Sequence, residues 1–425
     1  MRVLWQLNDT YPSYISWGTT RDYSLGNQQV NEYGSDHQYC DTITGLTPST
    51  KYFYMVIAET DTINGNFRTA PGGEASEVTF FAYGDTRTYP ADHDAVAELM
   101  VQNYTADPEA QGIAILSGDL VSDGNSESKW DAQFFSPAYI NIQEFLRTIP
   151  VICSKGNHEG TGSIFKKYFP YPYYISGSYY WSFDYGPAHF CVIDQYTPYN
   201  VGSAQYDWIT ADLAASGKPW KFLVFHKPGW SAGDGHSNDT TVQNVLQPLC
   251  LEYGVQFVIN GHNHYYSRAE VSGVEHITTG GGGAPLKIPN PTYPNIVTTS
   301  SSHHFCKIHI DADTLHFTVI KDDGTVIESF DYHNYYEWTG ASDNDWNNAS
   351  NWSKGTVPGE GWNVVIPQGL SNYPQISGSA SCRNLKLEIG ALLSIPDGSI
   401  LNVYGHLDNY GTLDIQDGAY VIQHE

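Results

Sequence analysis

The chain has 425 residues, room for two to four domains at about 100–200 residues each. Lys+Arg 20 against Asp+Glu 46 leave a net charge of −26, which disfavours nucleic acid and anionic lipid as partners. Aromatic residues at 14% with charged residues at only 16% exclude a disordered chain and a coiled coil, and point to a β-rich globular protein.

The start, Met1 to Asn8, turns polar too soon for the apolar core of a signal peptide. The acidic, tyrosine-rich, lysine-poor composition still reads as that of an exported protein whose leader was removed, placing it outside the cell, in the periplasm or at the cell surface. No apolar run approaches the roughly 18 residues of a membrane helix, so no membrane insertion is expected. Six cysteines without a CxxC spacing read as buried small hydrophobes or at most one or two bridges.

Residues 1–71 alternate short β-rich runs with turns. Ile15-Ser16-Trp17 and Lys51–Ile57 are strand candidates, and Gly45-Leu46-Thr47-Pro48 is a turn ahead of the second. The phrase from Gly45 to Tyr52 resembles the entry to a late strand of fibronectin type III domains, which implies an all-β sandwich. Ala70–Ser76 breaks all periodicity and reads as a linker.

Residues 77–333 change texture. Apolar runs without alternation recur at Val78–Tyr83, Gly112–Leu116, Ile149–Cys153, Phe190–Ile193, Phe222–Phe225 and Val255–Ile259, the pattern of strands covered on both faces. Helical patterns lie between them. One has N-cap choices at Asp92-His93-Asp94 with Val96, Leu99 and Met100 on one face, and another runs from Leu246 to Tyr253 before Gly254. Strand, helix, strand predicts an α/β domain.

Residues 337–425 lose the helices. Trp338, Trp346, Trp352 and Trp362 crowd a short stretch, and Ile395-Pro-Asp-Gly-Ser recurs as Ile415-Gln-Asp-Gly-Ala. A period near twenty residues with short strands predicts a β-solenoid, with a sandwich as the alternative.

Five of the apolar runs in the middle domain end in residues able to bind metal. They lead to Asp85, to Asp119, to Asn157-His158-Glu159, to His226 and to His262-Asn263-His264. Ligands of parallel α/β sheets bind beyond the carboxyl ends of strands. Mixed oxygen and nitrogen donors suit Zn, Mn or Fe and not Ca.

In order, the motifs GD, GD, GNHE, H and GHNH resemble the calcineurin-like metallophosphoesterase superfamily, and with the front domain they look nearest to purple acid phosphatases and bacterial relatives. The resemblance implies two packed sheets flanked by helices and a pair of divalent or trivalent ions, Fe, Zn or Mn. It implies Asp119 bridging two metals about 3.5 Å apart, Asp85 and His264 on the first, and Asn157, His226 and His262 on the second. It implies hydrolysis of phosphate mono- or diesters of a small molecule or a phosphorylated partner, with His158 assisting the leaving group and Glu159 or Asp123 orienting it.

Two departures qualify this pattern. Ser122 stands where purple acid phosphatases have a tyrosine, and Arg87 stands where other superfamily members have a histidine ligand. Arginine stays protonated and cannot ligate, so the first metal is short of donors. Arg87 instead forks onto a phosphate or pairs with a carboxylate. His236, on the glycine-rich loop after His226, is a substrate-contact candidate, and the Gly280–Gly283 run is a rim loop or a hinge. The tail resembles modules of secreted bacterial proteins, implying surface or glycan attachment. An adhesion protein with a degenerate phosphoesterase domain is the alternative function.

Overall fold

The computed structural model describes residues 1–33, 36–175, 177–233 and 235–424. In the N-terminal region the strand Lys51–Ala58 buries every second residue, Tyr52, Tyr54, Val56 and Ala58. It lies in a four-stranded sheet between Ser13–Gly18 and Asp61–Arg68. A two-stranded sheet, Arg2–Gln6 with Gln38–Thr42, contributes Val3 and Tyr39 to the same small core.

The middle region is built on two larger sheets. Six strands run in the order Val326–His333, Thr314–Lys321, His304–Asp311, Glu77–Tyr83, Ile113–Leu116, Val151–Cys153. Seven run in the order Trp181–Tyr185, Ala188–Val192, Trp220–Val224, Phe257–Asn260, Val274–Thr279, Tyr266–Val271, Ile296–Ser300. The apolar runs without alternation lie in these strands because the sheets face each other through one set of side chains and carry helices on the other. Phe80, Phe190, Phe222, Phe257 and Phe317 interlock between the sheets, with Phe190 stacked on Phe222 at 4.8 Å and Phe80 edge-on to Phe190 at 5.1 Å.

On the outer face of the first sheet, Val96, Ala97 and Met100 of helix Pro90–Ala106 pack with Phe145 and Trp130. This helix begins two residues before the predicted cap, because Pro90 sits in its first turn, where a missing N–H costs nothing. The second helical pattern opens as a π-turn, Val242–Leu246, continues as Gln247–Tyr253, and stops at Gly254 in left-handed backbone (φ 66°).

The C-terminal region is made of parallel ladders. Tyr336–Glu337, Val364–Ile366, Leu385–Leu387 and Leu407–Asn409 form one, Ser379–Cys382, Ile400–Val403 and Tyr420–Gln423 a second, and Leu392–Ile395 with Thr412–Ile415 a third. The recurring phrases pair directly, Ile395 beside Ile415. Trp338, Trp346 and Trp352 pack edge to face, Trp346 on Trp352 at 4.7 Å. They share one core with Leu213, Leu249 and Cys250 of the helices covering the second sheet, and Trp362 Nε1 donates to Leu251 O (3.1 Å). All six cysteines are free thiols, so neither of the bridges allowed for forms. Among the described residues, no helix is long and apolar enough to cross a membrane.

Candidate metal centre

Glu77–Tyr83, Ile113–Leu116 and Val151–Cys153 run parallel in the first sheet, and Trp220–Val224 and Phe257–Asn260 run parallel in the second. Their carboxyl ends meet at one edge of the sandwich. The loops leaving them carry Asp85, Asp119, Asn157, His158, His226, His262 and His264. Three of these residues hold left-handed backbone despite a side chain: Asp85 (φ 55°), Asp119 (φ 55°) and His262 (φ 70°). Such conformations cost of order 1–3 kcal/mol each and persist where the surrounding fold imposes them. Here they turn the side chains back into the space between the sheets.

Close approach of main chain makes this possible. A Cβ on Gly156 would lie 2.3 Å from Asp119 Oδ1, and one on Gly261 would lie 2.4 Å from Asp85 Oδ2. The Gly280–Gly283 run packs down on the Asp85 loop, with Gly282 N–H donating to Gly84 O (2.8 Å).

The donors form two groups. His226 Nε2 lies 3.1 Å from Asn157 Oδ1, 3.1 Å from His262 Nδ1 and 3.3 Å from Asp119 Oδ1. Asp119, His226 and His262, all buried, offer ligand atoms within 4.8 Å of one another. In the second group, His264 Nε2 is 3.6 Å from Asp85 Oδ1. Arg87 stands beside this pair, its Nη2 3.1 Å from His264 Nε2 and its Nε 3.5 Å from Asp119 Oδ2.

Main-chain carbonyls set the ring tautomers. His226 Nδ1 faces Ser117 O at 2.8 Å and His264 Nδ1 faces Pro285 O at 2.8 Å, so in both rings Nδ1–H is held by main chain and Nε2 is the nitrogen turned into the site.

The electrostatics call for cations. Burial pushes the Asp85 carboxyl well above its usual range, and neighbouring Asp119 adds to the shift against the pull of His226 and Arg87. Burial opposes ionisation of Asp119 too, but His226 wins and holds it below the usual range. The same pairing outweighs burial at His226 and lifts it to about 9. Burial lowers His262 to about 2 and His264 to about 4, keeping both neutral, the form that ligates. Asp85 Oδ1 is fully buried without a hydrogen-bond partner. A buried carboxyl oxygen without a hydrogen-bond partner, in a site that also holds two neutral imidazoles, fits metal ions.

His158 lies at the mouth, one-third exposed, its Nε2 3.7 Å from Asp119 Oδ2. Neither predicted orienting residue touches it. His158 Nδ1–H donates to Ser122 O (2.7 Å), because the Asp119–Ser122 loop passes directly beneath the ring. Glu159 points the other way, accepting from the N–H groups of Asp119 (3.0 Å), Leu120 (2.8 Å) and Gly156 (2.6 Å). It clamps the loop that carries Asp119.

His236 is exposed but stacks on His262, ring centroids 3.8 Å apart, and its N–H donates to Asn263 Oδ1 (2.8 Å). Tyr171 and Tyr174 serve packing, their hydroxyls donating to Val151 O and Phe169 O.

Sequence reasoning missed Gln133. Its Oε1 accepts from Ser122 N–H (2.8 Å) and Thr88 N–H (3.3 Å), tying together the loops of Asp119 and Arg87. A lone glutamine on a short helix carries no pattern that marks such a role.

Residues 78–266 match the sequence family described as calcineurin-like phosphoesterase. The central domain is a calcineurin-like phosphoesterase. Its homologues are purple acid phosphatases: the chain is 27% identical to Purple acid phosphatase 18 of Arabidopsis thaliana, over 71% of this chain and 74% of that one. It is 26% identical to Purple acid phosphatase 15 of the same plant, covering 57% of this chain and about half (52%) of that one.

A solved purple acid phosphatase from yellow lupin seeds (Lupinus luteus) shares the fold at a TM-score of 0.64 and 20% identity, over 78% of this chain and 72% of that one. The phosphoesterase domain is followed by residues 337–425, which match a domain family of unknown function, DUF8693.

Proposed function

We propose that the protein is a metal-dependent hydrolase of phosphate mono- or diesters. The observation that carries this reading is the buried Asp119, His226 and His262 group at the strand ends of a phosphoesterase domain. Asp119, Asn157, His226 and His262 would hold one ion, and Asp85, His264 and the far oxygen of Asp119 a second. Bound Fe, Zn or Mn would supply Lewis-acid polarisation of the phosphoryl group and a water acidified towards about pH 7.

The chain's own residues position and protonate. His158 is anchored twice: its N–H donates to Asp119 Oδ1 (2.8 Å) and its Nδ1–H to Ser122 O. That leaves Nε2 as the nitrogen turned to the site, which in the doubly protonated ring carries the proton given to the departing oxygen of the ester, the ring reverting to its neutral Nδ1–H form. Glu159 fixes the backbone of Asp119, and His236 covers His262 on the solvent side.

The net charge of −26 does not oppose an anionic substrate, since fields are screened beyond about 8–10 Å and the ions with Arg87 set the local sign. Ser122 in place of a metal-binding tyrosine means no tyrosinate colour. The acidic surface and the C-terminal ladders, which we read as a short β-solenoid, support a secreted or surface-attached enzyme.

Metal analysis combined with hydrolysis of aryl phosphate esters tests the proposal. Turnover that requires Zn, Mn or Fe and disappears with bound metal in Asp119→Ala and His226→Ala supports it. Absence of both metal and turnover after all three ions are supplied overturns it in favour of a binding protein.

A further inference from the structure

The seam between the phosphoesterase domain and the C-terminal module forms a polar cleft, partly open to solvent, of about 190 Å³, at the opposite end of the strand Trp220–Val224 from the site described above. Lys218 and Lys221 line it from one side, and Asn363, Arg383, Asn384 and His406 from the other. Although the chain carries 46 acidic residues, no carboxylate lines this space among the described residues.

Lys221 is 3% exposed. Its Nζ donates to two main-chain carbonyls, Leu213 O and Tyr253 O (2.9 Å each), and to no anion. Lys218 likewise donates to Gly186 O (2.8 Å). Arg383 is half-buried, and its guanidinium makes no hydrogen bond or ion pair among the described residues. Burial alone bears on its pKa, which it lowers. The carboxylate that acts on Lys221, Asp212, is engaged by His189 (2.9 Å) and Ser182 (2.5 Å).

Two basic groups thus share the seam and disfavour each other's charge, and the one carboxylate that acts on Lys221 is already engaged elsewhere. Burying charge is costly unless it is paired. A folded protein would gain by filling such a gap with an anion. The cavity is several times the roughly 30 Å³ of a water molecule, yet below the roughly 300 Å³ at which pockets for larger organic ligands begin. An arginine fork and a lysine ammonium match the planar edge and point charge of an oxyanion.

We infer that this seam is a binding site for a tetrahedral oxyanion, inorganic phosphate or sulfate, held between Lys221 and Arg383. The bound anion bridges the two modules. The inference is independent of the hydrolytic reading, because none of these residues belongs to the metal centre.

Thermal unfolding and calorimetric titration of the full chain test it, with sulfate and phosphate as separate probes against chloride at equal ionic strength. Wild type responds saturably to both oxyanions, and Arg383→Gln loses about tenfold or more in affinity, the weight of a charge-assisted hydrogen bond. Asp119→Asn, which impairs the metal centre, keeps the sulfate response. An unchanged response in Arg383→Gln, or its loss in Asp119→Asn, overturns the inference. A selenate soak of wild-type crystals covers the case in which the variant misfolds: an anomalous peak between Lys221 and Arg383 supports the site, and its absence there refutes it.

Discussion

At the scale of single residues, His158 and Arg87 occupy opposite positions in the chemistry. His158 reaches the site through one ring nitrogen, while its other ring nitrogen is held by Ser122 O and its main-chain N–H by Asp119 Oδ1. His158→Ala is therefore expected to lower kcat by about 10²–10⁴, the usual weight of general acid catalysis, with metal content unchanged by elemental analysis. Equal loss of metal would assign it to the ligand set. Arg87 places fixed positive charge 3.1 Å from His264 Nε2 and 3.5 Å from Asp119 Oδ2. Arg87→Ala should raise the amount of ion retained at the Asp85–His264 group in dialysis against limiting metal. Retention equal to wild type would show that the guanidinium does not compete there. The sequence marked both residues, but the partner of His158 was out of reach, since a carbonyl thirty-six residues away belongs to no motif.

At the scale of elements, the loops after the strands act as one interlocked unit. The left-handed turns at Asp85, Asp119 and His262 keep their shape because glycines let neighbouring main chain press against them. Gly156→Ala is the sharpest test of this packing. The added methyl would meet both Oδ1 and the backbone N of Asp119, the latter at 2.5 Å, neither of which can retreat. The variant should fold, since the strands are untouched, but lose metal affinity and turnover together. Normal metal content would show that the loop has slack. Strand ends were legible in the sequence because fully buried parallel strands leave unbroken apolar runs, and five of these runs lead to a residue able to ligate metal. The helix start at Pro90 was not, since Asp92 and Asp94 are equally good cap residues until the fold sets the entry angle.

At the scale of the whole molecule, the C-terminal module is joined to the phosphoesterase domain by a continuous apolar core and by the charged seam. Trp362 anchors the first. Trp362→Ala should destabilise the chain by about 3–5 kcal/mol, the range for a buried tryptophan, in denaturant unfolding. A change within error would mean that the modules unfold independently. Lys221 gives the seam a pH signature. Burial and Arg383 lower its pKa to about 7, below its unfolded value of about 10.4. The unfolded chain then binds more protons between those values, so this residue makes stability rise with pH from about 7 towards 10. Its cost is fully developed below pH 7. Lys221→Met should flatten that part of the stability profile, and a profile matching wild type would place the cause elsewhere.

The sequence by itself determined which residues could ligate metal and in what order, because donor chemistry and strand-end position are both local properties of the chain. It also carried the twenty-residue period that pairs Ile395 with Ile415. Only the tertiary structure decided that Arg87 stands between His264 and Asp119, that Glu159 clamps a backbone instead of a histidine, and that Lys221 and Arg383 line one cleft at a seam. Those outcomes depend on distances between segments remote in sequence, and such distances exist only once the sheets have packed.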